Sequence, residues 1–553
     1  MPHRYAAGVP AIDVTQVADD YLRDLADLDP DAAQTLGRTP SPLIPDLSPD
    51  AFARRHEVTA RASARLAAVS PGGFRERVLH AALSERLASD VALYEAGFTT
   101  ALLAPLATPV HQVRRTFDDL PAATADDWAV IGRELARVPL ALREYTATLT
   151  ASADRGHVVA RRQVLAVAAQ CDGWVADRFY PALVEPAGSS SLARLADAAA
   201  EATAAFATFL RSELLPRAGS RDGVGRELYE VTSAAFLGAP IDAEETYAWG
   251  WDELAALTAR ARAVAGEVVR SGDVDDAVRA LDADPAGTID SVPALEAWLQ
   301  RRVDETMDAV AGTHFDVPGR TRRVECRVTP SASGVMYYVP ADPGLTRPGR
   351  VWWTLPGGVT RAHVWREVST LHHEGVPGHH LQYAVTLGLG DLHPWQRSLC
   401  HVHGYAEGWA HYAEELADEL GLIRTPGERL GMIFAQLWRA VRVVVDLGLH
   451  LDLPIPRGNG LVDAERWTPE LGARLLTDVA RVDPQTAAFE VDRYLGWPGQ
   501  ALAFRVGARL WREARAAASA RAGAAFDLRR FHADALRLGP VGLGPLRTLL
   551  TDA

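Results

Sequence analysis

Across residues 10–315, apolar residues recur at i, i+3 and i+4 in a background of Ala, Leu, Arg and Glu, the spacing of amphipathic helices. Two stretches show it best: "TADDWAVIGRELARVPLALREYTATL" (124–149), with Thr124 or Asp126 able to cap, and "SSSLARLADAAAEATAAFATFLRSEL" (189–214). Clusters such as "PAGSS" and "GSRDGVG" punctuate the helices, and no fixed-period repeat is found. Between 321 and 357 the pattern switches. "RRVECRVTP", "GVMYYVP" and "GRVWWTLPGG" are short, rich in Val, Tyr and Trp, and bounded by Pro and Gly, which predicts three strands of a small antiparallel sheet.

Helical spacing then returns. Residues 359–375 carry it through Val364, Val368 and Leu371, and 394–421 reads as one long helix with Pro394 near its start and Gly421 at its end. Two more helices are predicted near 428–450 and 484–518, the second interrupted at "WPGQ" (497–500). The expected architecture is mostly α, with a helical region over 1–320, the sheet over 321–357 and a second helical region over 358–553, joined in one continuous unit.

Composition narrows the function. The chain has 553 residues, 48% of them hydrophobic, enough for a large core. A net charge of -14 argues against nucleic acid as a partner. All 57 basic residues are Arg, so a Schiff-base lysine, a Walker lysine and a Ser-Lys pair are excluded. No apolar run is long enough to span a membrane. The N-terminal residues carry no apolar segment of a secretory signal, and Cys171, Cys326 and Cys400 match no metal or redox spacing, so a cytoplasmic protein with reduced core thiols is expected. A homo-oligomer is compatible with this composition.

Nine of the seventeen histidines fall between His363 and His411. At their centre stands "HHEGVPGHHLQ" (372–382), close to the HExxH zinc helix but with the wrong spacing. On a regular helix His373 and His379 would lie about 120° apart, and His373 and His380 would be separated by roughly 10 Å along the axis. Neither pair could hold one zinc ion with bonds of about 2 Å. Pro377 and Gly378 can bulge the helix and bring a histidine back. Deleting two residues from the string favours His379 as second ligand, with His380 as the alternative. On the next helix, "YAEGWAHYAEEL" offers Glu407 as the third ligand, with His411 one turn beyond it. Glu414, Glu415, Asp418 and Glu419 read as the solvated end of that helix. Glu374, beside His373, is placed to act as general base on a zinc-activated water.

"HEGVPGHHLQ", "YAEGWAHYAEEL", "RAVRVVVDLGLH" and "RYLGWPGQALAFRVG", in this order, resemble the bacterial family called domain of unknown function 885, and the early "DPDAAQTLG" fits as well. The resemblance spans most of the chain. That family is similar in motif logic to gluzincin metallopeptidases, notably the helical carboxypeptidase Taq and oligopeptidase groups, which implies a zincin-like fold with a deep groove. It implies His373, His379 and Glu407 as metal ligands and Glu374 as base. One departure stands out. The family's last motif usually reads Gln-Ala-x-x-Tyr-Lys-x-Gly, whereas this chain has Phe504 and Arg505 in the Tyr and Lys places. Phe504 cannot donate to the oxyanion of a tetrahedral intermediate.

Other candidates have plainer structural readings beside the functional ones. Arg442, Asp446 and His450 follow at spacing four, either a polar stripe near the metal, with His450 a catalytic candidate, or a salt-bridge ladder. Arg493 and Tyr494 can bind a substrate carboxylate and an oxyanion, or pack as a surface Arg and a core Tyr. Tyr337 and Tyr338 can line a strand that pairs with extended substrate, or belong to the core. His401 and His403 are structural or line a pocket. The leading expectation is a zinc-dependent hydrolase of amide bonds in short peptides or peptide-like molecules. An iron-dependent biosynthetic or redox enzyme and an inactive binding protein are the alternatives.

Overall fold

The structure, a computed structural model, describes residues 13–118, 120–329, 336–342, 345–355 and 360–551. The first twelve residues, on which the secretory-signal reading rests, and parts of the predicted strand region (330–335 and 356–359) lie outside these.

The fold is mostly α, as the apolar spacing predicts. The helices used below are α1 (Val14–Ala26), α2 (Pro49–Ala67), α3 (Phe74–Glu95), α4 (Ala125–Asp154), α5 (Ser190–Phe209), α6 (Ala243–Val268), α7 (Val292–Val310), α8 (Val364–Glu374), α9 (His379–Gly388), α10 (His403–Glu419), α11 (Pro426–Leu451), α12 (Pro484–Gly496) and α13 (Ala503–Ala522). Thr124 caps α4: its hydroxyl accepts from the Asp127 N–H, and the Asp127 side chain returns to the Thr124 N–H. No helix among the described residues is long and apolar enough to cross a membrane. The three cysteines are buried and free.

The sheet lies where predicted, with strands β1 (Val324–Thr329), β2 (Tyr337–Val339) and β3 (Gly349–Thr354) in the order β1-β3-β2. The antiparallel expectation holds for β2 and β3, but β1 and β3 run parallel. The chain reverses twice on the way from β1 to β3, and β3 inserts between the other two, so it runs in the direction of β1.

The buried apolar residues form two cores. One core joins α1, α2 and α3 to α6, α7, the sheet and all helices after residue 360. A second is confined to residues between Ile44 and Leu214 and is built largely from α4, α5 and the helix Arg161–Ala176. Part of residues 1–320 packs on the histidine-rich helices, which are buried on almost every face.

Two close backbone approaches fix the helices around the candidate site. A Cβ on Gly431 of α11 would sit 1.9 Å from the Trp365 carbonyl oxygen of α8, and one on Gly408 of α10 would sit 2.6 Å from Gly507 Cα of α13. Only glycine lets these pairs meet so closely. The predicted helix over 394–421 is interrupted. A short helix Pro394–Ser398 ends, and α10 begins at His403. Between them Cys400 Sγ donates to the Pro540 carbonyl at 3.3 Å, while the Gln396 side chain donates to Leu538 and Pro540, so tertiary bonds replace helical ones there.

Candidate metal centre

Helix α8 stops at Glu374, and α9 starts at His379. The device that repairs the histidine spacing is thus a helix end and restart, where the sequence predicts a bulge in one helix. The connector is tied down at every residue. Val376–Pro377 is a cis peptide, Gly378 N–H donates to the His372 carbonyl at 2.9 Å, and His380 N–H donates to the Gly375 carbonyl at 3.1 Å. The fully buried indole of Trp409 donates to the Pro377 and Gly378 carbonyls at 3.0 and 3.2 Å. A Cβ at Gly378 would lie 1.9 Å from the His373 carbonyl oxygen. The rings of His373 and His379 consequently come to 4.9 Å between centroids at 87°, although six residues separate them.

His373, Glu374 and His379 bring ligand-capable atoms within 4.8 Å of one another. Glu407 on α10 completes the group, its Oε2 lying 3.2 Å from His373 Nε2 and 3.5 Å from His379 Nε2. Ligands about 2 Å from a tetrahedral zinc ion are separated by roughly 3.3 Å, so these two edges fit a metal. The donor set of two imidazoles and a carboxylate suits zinc as well. His379 Nδ1 is buried with no hydrogen-bond partner, while the ring's Nε2 faces Glu407. His373 faces two carboxylates. Burial works against its charged form, but hydrogen bonds to Glu407 and Glu414 outweigh this and push it up to about 9.

Glu374 is buried, and desolvation raises its carboxyl above the ordinary range, against the opposing pull of His379 and His373. Desolvation also acts on Glu407, but hydrogen bonds from His373 and His379 hold it well below the usual carboxylate range. Two neighbouring carboxylates are thereby separated in basicity.

Behind the cluster lies a network that the sequence reading misplaced. Glu414 is not at a solvated helix end but is 1% exposed, with its Oε1 2.7 Å from His373 Nδ1. Ser369 and Gln436 donate to its other oxygen at 2.9 and 3.1 Å. His411 pairs with Glu414 at 3.2 Å and meets Arg505 through its Nε2, while Arg505 also bonds Gln436, Glu253 and Glu415. His411, expected beside Glu407, instead supports Glu414. A carboxylate on the far nitrogen fixes a ligand imidazole and raises its basicity. Glu414→Gln is therefore expected to weaken zinc binding about 10- to 100-fold with the fold intact, measured by competition with a chelator and circular dichroism; unchanged affinity would remove Glu414 from this role.

His380 points elsewhere. Its Nδ1 lies 3.0 Å from the Tyr338 hydroxyl and its Nε2 3.2 Å from the Arg322 carbonyl. Burial lowers it to about 4, so it stays neutral. The same bond sets the sheet against α9. Tyr338 is thus a packing partner of His380, while Tyr337, on the opposite face of β2, stacks on Trp352.

Two catalytic expectations, those for His450 and Tyr494, are corrected. His450 has both nitrogens engaged by backbone: Nδ1 accepts from Val224 N–H at 3.3 Å and Nε2 lies 3.1 Å from the Tyr494 carbonyl. Burial lowers it to about 4. It pins helices together. Asp446, in the same stripe, accepts from the Tyr229 hydroxyl at 2.6 Å and from Gly499 N–H at 3.0 Å, holding the "WPGQ" break. Tyr494 is 1% exposed, and its hydroxyl donates to Glu490 and accepts from the Trp438 indole. Arg493 donates to the same Glu490 at 2.8 Å. These two belong to a cluster around Glu490 that includes Arg442 and is joined to the metal centre through Phe504. That ring stacks on His373, 5.9 Å away at 16°.

Helix α11 is buried except near its ends and at Ala435, Trp438 and Arg439, which share one face. On α10 the partly exposed residues near the site are His403 and Glu407, again one turn apart. At these positions the otherwise buried helices reach solvent. His401 is exposed and its ring lies 4.7 Å from that of His403. Tyr383 was missed by the sequence reading. It is partly exposed one turn after His379, and burial, reinforced by Glu407, pushes its hydroxyl up to about 12, which keeps it a donor. The spacing of four from a ligand was the available signal.

None of the curated proteins compared matches the chain. Two solved structures share its fold. A candidate lipoprotein from Colwellia psychrerythraea superposes with a TM-score of 0.80 at 21% identity, covering 98% of this chain and 99% of that one. A candidate lipoprotein of unknown function from Shewanella oneidensis gives 0.72 at 18% identity, covering 98% and 100%. Residues 30–550 match the model described as "bacterial protein of unknown function (DUF885)", and the chain belongs to that family.

Proposed function

We propose that this protein is a zinc-dependent hydrolase of amide bonds, acting on short peptides or peptide-like small molecules. The observation that carries the reading is the meeting of His373, His379 and Glu407 at tetrahedral-edge distances with Glu374 beside them. The order of His-Glu, a second His, and a Glu on a following helix is similar to that of gluzincin peptidases, which supports the same chemistry. His373, His379 and Glu407 would hold the ion. A bound zinc ion supplies Lewis acidity, activating a water and polarising the substrate carbonyl.

The chain's own groups do the rest. Glu374 accepts the proton of the attacking water and returns it to the leaving nitrogen, a task suited to a carboxyl whose basicity burial has raised. Glu414 holds His373 in the orientation that presents Nε2 to the site. Phe504 closes one side against His373 and excludes water there. With no hydroxyl at Phe504, Tyr383 is the proton-bearing donor on the ligand helix that can meet the oxyanion. With His373 and Glu374 buried, the site suits an extended chain of a few residues better than a folded protein.

The test is metal content and turnover together. Protein purified without added metal, then reconstituted, is expected to bind one equivalent of zinc and to cleave members of a broad short-peptide panel. One equivalent of iron with no amide cleavage would favour the redox alternative, and a filled zinc site with no cleavage anywhere would leave a binding protein.

A further inference from the structure

Beside the metal centre three guanidinium groups gather near one carboxylate, which two of them contact. Glu490 is 2.8 Å from Arg493 and 3.5 Å from Arg442, and it also accepts from the Tyr494 hydroxyl. Arg439 makes no ion pair with a carboxylate among the described residues, although its charge acts on buried Glu374. Arg442 is 2% exposed, yet its Nε and Nη2 have no hydrogen-bond partner, and the Nε atoms of Arg439 and Arg493 are buried and unpaired as well. Arg442 and Arg439 lie over the Phe504 ring at 4.1 and 5.4 Å, and Arg442 also lies over Tyr494 at 5.1 Å. An aromatic face orients a guanidinium but cannot satisfy its N–H donors in the ring plane. Burying cations with empty donors is costly, and an excess of positive charge in such a place calls for an anion.

We propose that Arg439, Arg442 and Arg493 form a subsite that binds a carboxylate of the substrate. The proposal rests on the amide-hydrolase reading for its meaning and makes the substrate more specific. Phe504 touches both His373 and Arg442, so the guanidinium lies no further than about 10 Å from the ligand ring, the span of about three extended residues. The bond cleaved is then within a few residues of a free carboxylate, as in a short peptide cut near its C-terminus. The paired donors of arginine suit a planar carboxylate. Arg439, partly exposed on the open face of α11, is the member an incoming substrate meets first.

The test is binding rather than turnover. N-acetylated di- and tripeptides are titrated calorimetrically as free acids and as C-terminal amides, into metal-free and zinc-loaded protein. The free acids are expected to bind at least tenfold tighter than the amides in both forms. Arg439→Gln and Arg442→Gln are each expected to cut that preference threefold or more and to leave amide binding unchanged. Because Arg442 is buried, Arg439→Gln carries the test if the other variant fails to fold. Equal binding of acid and amide, no measurable binding of the acids, or a full preference surviving in folded Arg439→Gln protein would each overturn the proposal. The two readings separate cleanly. An acid preference without cleavage by zinc-loaded protein removes the hydrolase and keeps the subsite, whereas cleavage without acid preference does the reverse.

Discussion

Glu374→Gln is expected to abolish turnover, with a loss of about 100- to 10,000-fold, while zinc still binds at one equivalent. The substitution keeps the shape of the side chain and removes its ability to take a proton. Glu374 lies within the ligand group but is not needed to hold the ion, since His373, His379 and Glu407 supply three donors on their own. Removing a buried carboxyl whose charge is already disfavoured by desolvation should not harm the fold, and thermal unfolding is expected to be unchanged or shifted upward. Kinetics and metal analysis on one preparation decide the matter. Turnover near the wild-type rate would take the base role away from Glu374, and loss of zinc would make it a ligand.

The adjacent histidines His379 and His380 should respond in opposite ways. His379→Ala is expected to lower zinc affinity at least 100-fold, because a ligand is lost and a two-donor site remains. The fold should tolerate the change, since His379 Nδ1 makes no hydrogen bond. His380→Ala is expected to leave zinc affinity within a factor of about three and instead to destabilise the protein by about 1–3 kcal/mol. It leaves the Tyr338 hydroxyl and the Arg322 carbonyl without their partner and opens a gap between β2 and α9. Chelator competition and denaturant unfolding on both variants give the answer. A reversed pattern would mean that the site is closed by His380.

The contrast between these neighbours shows what the sequence could and could not convey. That "HHEGVPGHH" breaks a regular helix was legible, because Pro and Gly at those positions are incompatible with one. Which histidine turns inward was not, because the direction of α9 after the break is set by Trp409 and by bonds across the connector, whose partners lie about thirty residues further along. Glu407 could be found from its small and aromatic neighbours. Glu414 could not: its acidic surroundings, with Glu415, Asp418 and Glu419, have the composition of a surface. Burial there comes from α8 and α11, which converge on it through Ser369 and Gln436. The stripe Arg442, Asp446, His450 was correctly placed on one helix face, but its partners come from residues 224–229 and 490–499, and local spacing cannot specify them. Strand positions followed from composition, while the parallel pairing of β1 and β3 is a matter of chain path.

The connector between α8 and α9 has a further consequence. Its shape is maintained by an interior indole and by main-chain bonds, none of which involves an ion. In small zinc domains the ion is the keystone, and chelation unravels the chain. On the proposed reading zinc loading is then a step separate from folding, and a chelator is expected to strip the ion while the circular dichroism of the protein stays unchanged.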